Sequence, residues 1–376
     1  MLRRIAFSEK AASFEGNLQN CLTRLDTMIK QAHVLGAVFF IDTNSDADYF
    51  IKKKKIVAAL DERSLQLPYN ILSQANEFAV ALEMLTEEAK GTIEYLTFKD
   101  IRYTRLTNAY GKEIWGLGVT SPAEDCPIPD QIEFSFEWMQ QLLQREGMDF
   151  SDTVRQWNYI PGIVEVQKAQ NGKTLQHYQV FNEIRQRYYT PVRFLDGYPA
   201  ATGISSKTGN FTIDFFAIQS SPFIRKISLS NPKQQNAYEY AQYQLIGDPM
   251  GGGSKKPPLF ERAKILEAGN DIIGFISGTA SIVGQETIGN GDVRIQTEVA
   301  IDNIFRLVGP ENTKDKTGGK TLKFTYLRVY IKNKADFQTV ISVCESRFHD
   351  VSVSYIQADI CRKDLLVEIE GEVVYY

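Results

Sequence analysis

The order of apolar runs along this chain repeats, and that repetition limits the folds open to it. Residues 113–119 read as a strand, followed by a helix over 134–147 with Ser135, Met139, Leu142 and Leu143 on one stripe. An extended stretch over 154–166 comes next, then a helix over 178–189 whose Phe181, Ile184 and Tyr188 face inward. Two strands, 198–204 and 211–218, close the unit. The same order returns later in the chain. A strand over 272–276 precedes a helix over 293–308 carrying Ile301, Ile304, Phe305 and Val308 at helical spacing. A strand over 325–331 leads to a helix starting at Asp336 with the stripe Phe337, Val340, Ile341, Cys344 and Phe348. Strands over 351–360 and 365–374 end the chain. Two β-α-β-α-β-β units, an internal duplication of about 105 residues, predict an α+β protein with mixed sheets and helices packed on one face. The pattern places Val367-Glu368-Ile369 where the first unit has Ile213-Asp214-Phe215.

Other segments punctuate these units. Ser277-Gly-Thr-Ala-Ser281 is a run of small residues expected to turn, and 311–320 is a polar, glycine-containing stretch expected to be a loop. The segment 251–258, Gly-Gly-Gly-Ser-Lys-Lys-Pro-Pro, has the composition of a flexible surface loop. Residues before about 95 form a further α/β layer without a definite place in the scheme. The division that follows is an N-terminal domain over 1–222, with a degenerate repeat over about 110–220, and a C-terminal domain over 223–376 that carries the chemistry.

Charge and cysteine usage narrow the function classes. A net charge of −4 gives no electrostatic case for nucleic acid or a membrane surface. The one dense basic cluster, Lys52 to Lys55, reads as a solvated loop or strand end. Cys21, Cys126, Cys344 and Cys361 are scattered, as are His33, His177 and His349, so neither a disulfide framework nor a metal site is expected. The N-terminal residues lack the apolar core of a signal peptide, and 34–41 is too short an apolar run to span a bilayer. A cytoplasmic protein that uses no cofactor is the expectation.

One carboxylate stands out. In the run Leu365-Leu-Val-Glu-Ile-Glu370, strand alternation sets Leu365, Val367 and Ile369 on one face and Leu366, Glu368 and Glu370 on the other. A carboxyl group held among apolar neighbours loses solvation, and its pKa rises into the range of a general acid working near neutrality. Read from pattern alone, the competing and commoner reading is a solvated edge-strand glutamate.

Several stretches, in order, carry a resemblance to a known family. They are Arg155-Gln-Trp-Asn-Tyr-Ile-Pro-Gly162, Tyr178-Gln-Val-Phe-Asn-Glu-Ile-Arg185, Tyr198-Pro-Ala-Ala-Thr-Gly203, Asn231-Pro-Lys-Gln234 with Ala237-Tyr238, Phe260-Glu-Arg-Ala263, Ser277-Gly-Thr-Ala-Ser-Ile-Val-Gly284 and the segment from Cys361 to Gly371. The C-terminal unit resembles the Rid/YjgF-like fold, and the combination of motifs, covering roughly 110–376, resembles the chorismatases. The resemblance implies two Rid/YjgF-like halves and an enzyme that takes chorismate and releases pyruvate from its enolpyruvyl ether. The other product would be 3-hydroxybenzoate, 4-hydroxybenzoate or a cyclohexadiene diol. It also implies a monomer or a homotrimer, since Rid-like domains commonly form trimers.

Within that resemblance Glu368 is the expected proton donor to the ether's terminal methylene, with Glu370 structural beside it. Cys361 is the expected marker of the hydroxybenzoate-forming branch, and 3-hydroxybenzoate is the favoured product. Chorismate is a dianion, and arginine's planar fork suits carboxylates. Arg262, Arg185 and Arg155 lie in the matching motifs and are the expected anchors. Tyr178, Tyr238 and Tyr240 are candidate phenolic donors, and Gly278, Thr279 and Ala280 offer backbone N–H groups to a close ligand. Two positions depart from family patterns. Ile360 stands where Rid-type imine deaminases carry a carboxylate-binding arginine, which disfavours that activity. Gln285 stands where the chorismatase pattern has histidine, which puts a hydrogen bond or proton relay there in question. A ligand-binding protein without turnover is the remaining alternative.

Overall fold

The computed structural model describes residues 2–376 except 10, 12, 88–90, 125, 169–171, 190–194 and 252, with Leu2 and Arg3 described by their backbone alone. The first unit runs β1 (Leu2–Phe7), α1 (Phe14–Gln31), β2 (His33–Ile41), α2 (Asp46–Glu62), β3 (Tyr69–Ser73) and β4 (Val80–Glu87). A hairpin of β5 (Gly91–Phe98) and β6 (Ile101–Asn108) leads into the second. That unit holds β7 (Gly111–Val119), α3 (Ile128–Arg145), β8 (Thr153–Tyr159), the short strands β9 (Val166–Lys168) and β10 (Thr174–Gln176), α4 (His177–Tyr188), β11 (Ala200–Ile204) and β12 (Thr212–Ile218). Strands β13 (Ile224–Leu229) and β14 (Ala263–Ala268) precede the third. It comprises β15 (Asp271–Ala280), the short β16 (Ile282–Val283) and β17 (Glu286–Thr287), α5 (Val293–Val308), α6 (Pro310–Thr317), β18 (Leu322–Ile331), α7 (Phe337–Arg347), β19 (Ser352–Gln357) and β20 (Val367–Tyr375).

The three units share one topology. Their sheets run β1-β4-β2-β3, β11-β8-β12-β7-β6-β5 and β13-β14-β15-β20-β18-β19. In each, the middle strand pairs in parallel with the third, and the last strand inserts antiparallel between the middle and first strands. The two expected α+β units are present, and the unplaced N-terminal layer is a third copy. The sequence reading missed it because α2 has only Tyr49, Ile56 and Leu60 buried and so shows no clear apolar stripe.

Helices cover the outer face of each sheet and build three separate cores with it. The inner faces meet in a fourth core, to which Phe40 of the first copy, Trp157 of the second and Tyr330 of the third all contribute. Each copy touches both others: β3 lies against β7, β11 against β15, and β1 against β18 and β19. The arrangement is cyclic, with three clefts between copies.

Some local expectations give way to tertiary context. The stretch 277–281 is no turn, because β15 runs straight to Ala280 with a register shift between Ile276 and Thr279. Its residues are small because β11 of the second copy comes close: Ala201 N donates to Ser277 Oγ at 2.9 Å and Gly278 N donates to Thr202 Oγ1 at 3.0 Å. The expected loop at 311–320 contains α6, which starts on Pro310 and ends at Gly318 with φ 67°. Proline at the first position and a left-handed glycine at the end set this helix without an apolar stripe. Lys52 to Lys55 lie within α2, where Lys52 pairs with Asp48 at 2.8 Å and Lys55 with Glu15 at 2.6 Å. Gly252 of the expected glycine-rich loop lies outside the described residues.

One carboxylate on the closing strand of each copy reaches into a neighbouring copy. Glu83 of β4 accepts bonds from Arg328 and Tyr326 of β18. Asp214 of β12 accepts from Asn70 of β3 at 2.8 Å. Glu370 of β20 accepts from Arg155 at 2.7 Å and Trp157 at 3.0 Å, both on β8, and from Thr202 of β11. Asp214 therefore does not occupy the role of Glu368 that the sequence alignment of the two units assigns to it. Arg328, fully buried, joins Glu83 to Glu370, which it approaches at 2.9 Å. Removing one partner of a buried ion pair leaves an uncompensated charge, at a cost of about 3–5 kcal/mol. Arg328→Ala is expected to lower the urea unfolding free energy by about that amount, whereas removing the exposed Arg225, paired with Glu267, is expected to cost under ~1 kcal/mol.

Candidate active site

The cleft between the second and third copies encloses a cavity of about 60 Å³. The third copy contributes Gly278 and Ala280 of β15, Glu368 of β20 and the β19–β20 connection with Cys361 and Arg362. The second contributes Ala201 and Gly203 of β11 and Tyr178, Gln179 and Asn182 of α4. Tyr240, Leu245, Pro258, Phe260 and Arg262, from the 230–262 connection and the start of β14, complete the wall.

Glu368 is 4% exposed and has no hydrogen-bond partner among the described residues. Burial, then the neighbouring Glu370, push its pKa up to about 8, against the opposing pull of Arg155 and Arg262. Val367 and Ile369 on either side belong to the helix-covered core, so alternation turns Glu368 and Glu370 to the inner side. Strand pairing sets Glu368 opposite Tyr330 on one side and Ala280 on the other. Its Oε1 lies against Gly278 so closely that a Cβ at 278 would collide with it. Glycine at 278 makes room for the carboxyl group.

Glu370, two residues along the same face, belongs to the interface between copies. Arg155 and Arg328 from different copies bind it, with Trp157, Thr202 and Tyr330 in support at this buried site. Arg155, expected as a substrate anchor, is absent from the cavity wall. It is spent on Glu370 and stacks over Trp157 at 4.6 Å.

The other expected anchors are placed differently. Arg262 lines the cavity and donates to Tyr240 Oη at 2.7 Å and Gln235 O at 2.5 Å, while its buried Nε has no partner. Arg185 stands behind the wall, 2% exposed, bonded to Asn182 Oδ1 at 2.8 Å, with its Nε also unpartnered. No carboxylate of the described residues pairs with either guanidinium. Burial depresses the Arg185 pKa, opposed by the neighbouring phenols of Tyr178, Tyr189 and Tyr198. Two buried arginines with free donors suit an anionic ligand that brings its own acceptors.

Tyr178 and Tyr240 face the cavity, and burial drives the Tyr178 phenol well above its ordinary pKa, so it donates as a neutral hydroxyl. Tyr238 does not reach the cavity. It packs on Tyr198 at 5.5 Å and lines a groove beside β13. Thr279 also points away and bonds Ser277 O at 2.9 Å, whereas Gly278 and Ala280 line the wall. Cys361 sits close enough to Tyr178 and Glu368 for their charges to couple, and burial, then Glu368, push its thiol up to about 12. It is a neutral thiol, poorly suited to act as a nucleophile.

The sequence reading passed over Asn182, Gly203, Phe260 and Arg362 as site residues. Asn182 lies one helical turn beyond Tyr178, and Gly203 and Phe260 are in quoted motifs, so a spacing signal existed for each. Arg362 follows Cys361 directly, and its guanidinium lies 5.0 Å over the Tyr240 ring. Ile360 is fully buried and bridges to Ile204, so no cation occupies that position. Gln285 is no part of the wall. It ties down the 237–245 segment, accepting from Ala241 N at 3.2 Å and donating to Tyr243 Oη at 2.6 Å.

Comparison with known proteins agrees with this geometry. Residues 93–217 match the family described as Chorismatase FkbO/Hyg5-like, N-terminal. A chorismatase of Streptomyces hygroscopicus is 34% identical over 266 residues, which are 68% of this chain and 71% of the relative. The chain belongs to the chorismatase family. A chorismatase of Streptomyces rapamycinicus is 33% identical over 237 residues, covering 60% of this chain and 65% of the relative, just under two thirds of it. A 3-hydroxybenzoate synthase of Streptomyces hygroscopicus is 31% identical over 245 residues, covering 63% and 67%. A crystal structure of a chorismatase superposes with a TM-score of 0.73 over 99% of this chain and 98% of that one at 24% identity, which places the whole chain in that fold.

The closeness of Glu370 to Glu368 has a measurable consequence. Glu370→Gln removes a negative charge and leaves Arg155 and Arg328 in excess, which favours ionisation of Glu368. Titration of side-chain carboxyl carbons by NMR is expected to show the Glu368 pKa falling below about 8 in that variant.

Proposed function

We propose that this chain cleaves the enolpyruvyl ether of chorismate to pyruvate and 3-hydroxybenzoate, with Glu368 as the proton donor. The observation that carries the reading is a buried, unpartnered carboxyl group at the wall of a cavity that also holds an arginine with a free donor. Protonation of the ether's terminal methylene carbon by Glu368 turns the C=C pair into a C–H bond and leaves an oxocarbenium ion. The neighbouring ring hydroxyl captures that ion through a new C–O bond to the pyruvyl carbon and gives up its proton to the ether oxygen. The ether bond to that carbon breaks, leaving the ether oxygen on the ring as the phenol. The captured oxygen's bond to the ring then breaks and a ring proton returns to the Glu368 carboxylate, so that the oxygen leaves as the carbonyl of pyruvate and the ring becomes aromatic. The two products together contain the atoms of chorismate, so no net water is consumed; water capture would give the diol instead.

Each residue has a part in this scheme. Arg262, and Arg185 through the Asn182 wall, supply the positive charge that a dianion needs in a dry pocket. Tyr178 and Tyr240 donate hydrogen bonds and flank the ring. Loss of the carboxyl proton leaves a carboxylate near Arg262, which stabilises it as charge develops on the substrate. The neutral thiol of Cys361 takes space beside the acid that a water molecule would otherwise fill, which favours ring-hydroxyl capture and hence the hydroxybenzoate.

Glu368→Gln is expected to reduce pyruvate release, read with lactate dehydrogenase coupling, by about 10²–10⁴-fold while the chorismate Kd stays within a few-fold. Near-normal turnover would remove Glu368 from the reaction. Because the acid must be protonated, kcat/KM of the wild type is expected to be flat below pH 8 and to fall about tenfold per unit above it. Gly278→Ala, which crowds the Glu368 oxygen, is expected to lower kcat with little loss of stability. Chromatography of the aromatic product is expected to show 3-hydroxybenzoate, shifting toward the diol in Cys361→Ala.

A further inference from the structure

The cyclic arrangement of three copies creates three equivalent clefts, and only one holds the acid. In the cleft between the first and second copies the backbone of Tyr69 and Asn70 abuts Gly118, and Asn70 is bonded to Asp214 and Thr212. The cleft between the first and third copies is open, with a cavity of about 340 Å³ between β1 and β4 on one side and β19 on the other.

Strand register relates this cavity to the catalytic one position by position. The middle strands end at Ile41 and Ile331, which pair with Val80 and Val367. One residue further, Ala81 of β4 stands where β20 has Glu368, and Glu83 stands where it has Glu370. Phe7 opposite Leu82 matches Thr279 opposite Ile369, so Ala6 and Ser8 take the places of Gly278 and Ala280. On the facing wall, Ile356 pairs with Tyr330 as Ile204 pairs with Tyr159, all four in the shared inner core, and Ser354 corresponds to Thr202. The catalytic machinery is absent here, yet the hollow is larger.

Its chemistry differs from that of the catalytic cleft in one decisive respect. No lysine or arginine is among the described lining residues, and the two carboxylates are Glu77, exposed, and Glu83, already bound to Arg328 and Tyr326. An anion therefore finds no counter-charge. The walls are aromatic and aliphatic, from Phe7, Phe40, Phe78 and Ile356. Polar capacity is limited but unspent. The Nδ2 donor of Asn76 is buried without a partner while its Oδ1 accepts from Phe78 N at 2.6 Å, and the hydroxyls of Ser8 and Ser354 bond no described residue. A dry cavity of about 150 Å³ already admits benzene.

We propose that the cleft between β1, β4 and β19 is a second binding site, which takes an uncharged aromatic molecule bearing a hydrogen-bond acceptor and does not convert it. Asn76 Nδ2 donates to the acceptor, and Ala81 leaves room for the ring where the catalytic cleft holds its acid. The inference does not rest on the catalytic reading, because its readout is binding.

Benzamide and benzoate share a shape and differ in charge, which makes them suitable probes for calorimetric titration of the full chain. Wild-type protein is expected to bind benzamide saturably. Ser354→Trp from one wall and Ala81→Phe from the other are each expected to weaken that binding at least about tenfold without changing pyruvate release. Glu368→Gln is expected to leave it unaltered, and benzoate binding is expected not to respond to either blocking variant. Wild-type crystals soaked in benzamide locate the molecule independently, should a blocking variant fail to fold. Absence of saturable binding, density in the catalytic cleft alone, or benzamide affinity that survives Ser354→Trp and Ala81→Phe overturns the proposal.

Discussion

Everything in this architecture leans on the buried charges that join one copy to the next, and the pivotal one is Glu370. It takes hydrogen bonds from Arg155 of the second copy and Arg328 of the third, while Arg328 continues to Glu83 of the first. Ion pairs this deep repay their desolvation only when further hydrogen bonds satisfy most of their remaining groups, and here Trp157, Thr202, Tyr326 and Tyr330 supply such bonds, while Arg155 Nη1 stays without a partner. Three sheets that would otherwise slide on an apolar interface are thereby held at one register. The cleft that holds Glu368 exists because β11 and β15 are fixed beside each other by that register.

The same charge also bears on its neighbour, Glu368. Two carboxylates on one face of a strand cannot both ionise cheaply in a dry interior. Arginines saturate Glu370 on one side, and nothing among the described residues bonds Glu368 on the other, so the proton settles on Glu368. Structural and chemical demands therefore meet on a single strand, β20. The cost is sensitivity: a change at Glu370 disturbs the joint between copies and the acid together.

Repetition of one unit explains how a single chain acquires different clefts. In a symmetric trimer all three would be alike. Covalent linkage lets each diverge, and divergence is visible at equivalent positions: Glu368 against Ala81, Gly278 against Ala6, Thr202 against Ser354. One cleft holds an acid and an arginine, one brings the backbone of Tyr69 and Asn70 against Gly118, and one keeps a hollow without a lysine or arginine among its described lining residues. Three copies within one chain also cover the surfaces that separate subunits would otherwise bury.

Much of this was legible in the sequence, and the physical reasons for the rest are specific. Periodicity gave both later units, because α3, α4, α5 and α7 each bury a regular stripe. Alternation placed Glu368 and Glu370 on one face, and composition around them made a raised pKa the natural expectation. The first copy escaped notice because the stripe of α2 is weak, and α6 escaped because its ends rather than its faces specify it. Nor could local pattern tell that Arg155 answers to Glu370, more than two hundred residues away, or that the small residues at 277–281 make room for a neighbouring strand and not for a turn. Spacing along a chain determines which side chains share a face. Which faces then meet is decided by the closure of three sheets around one core, and that closure assigns each buried charge its partner.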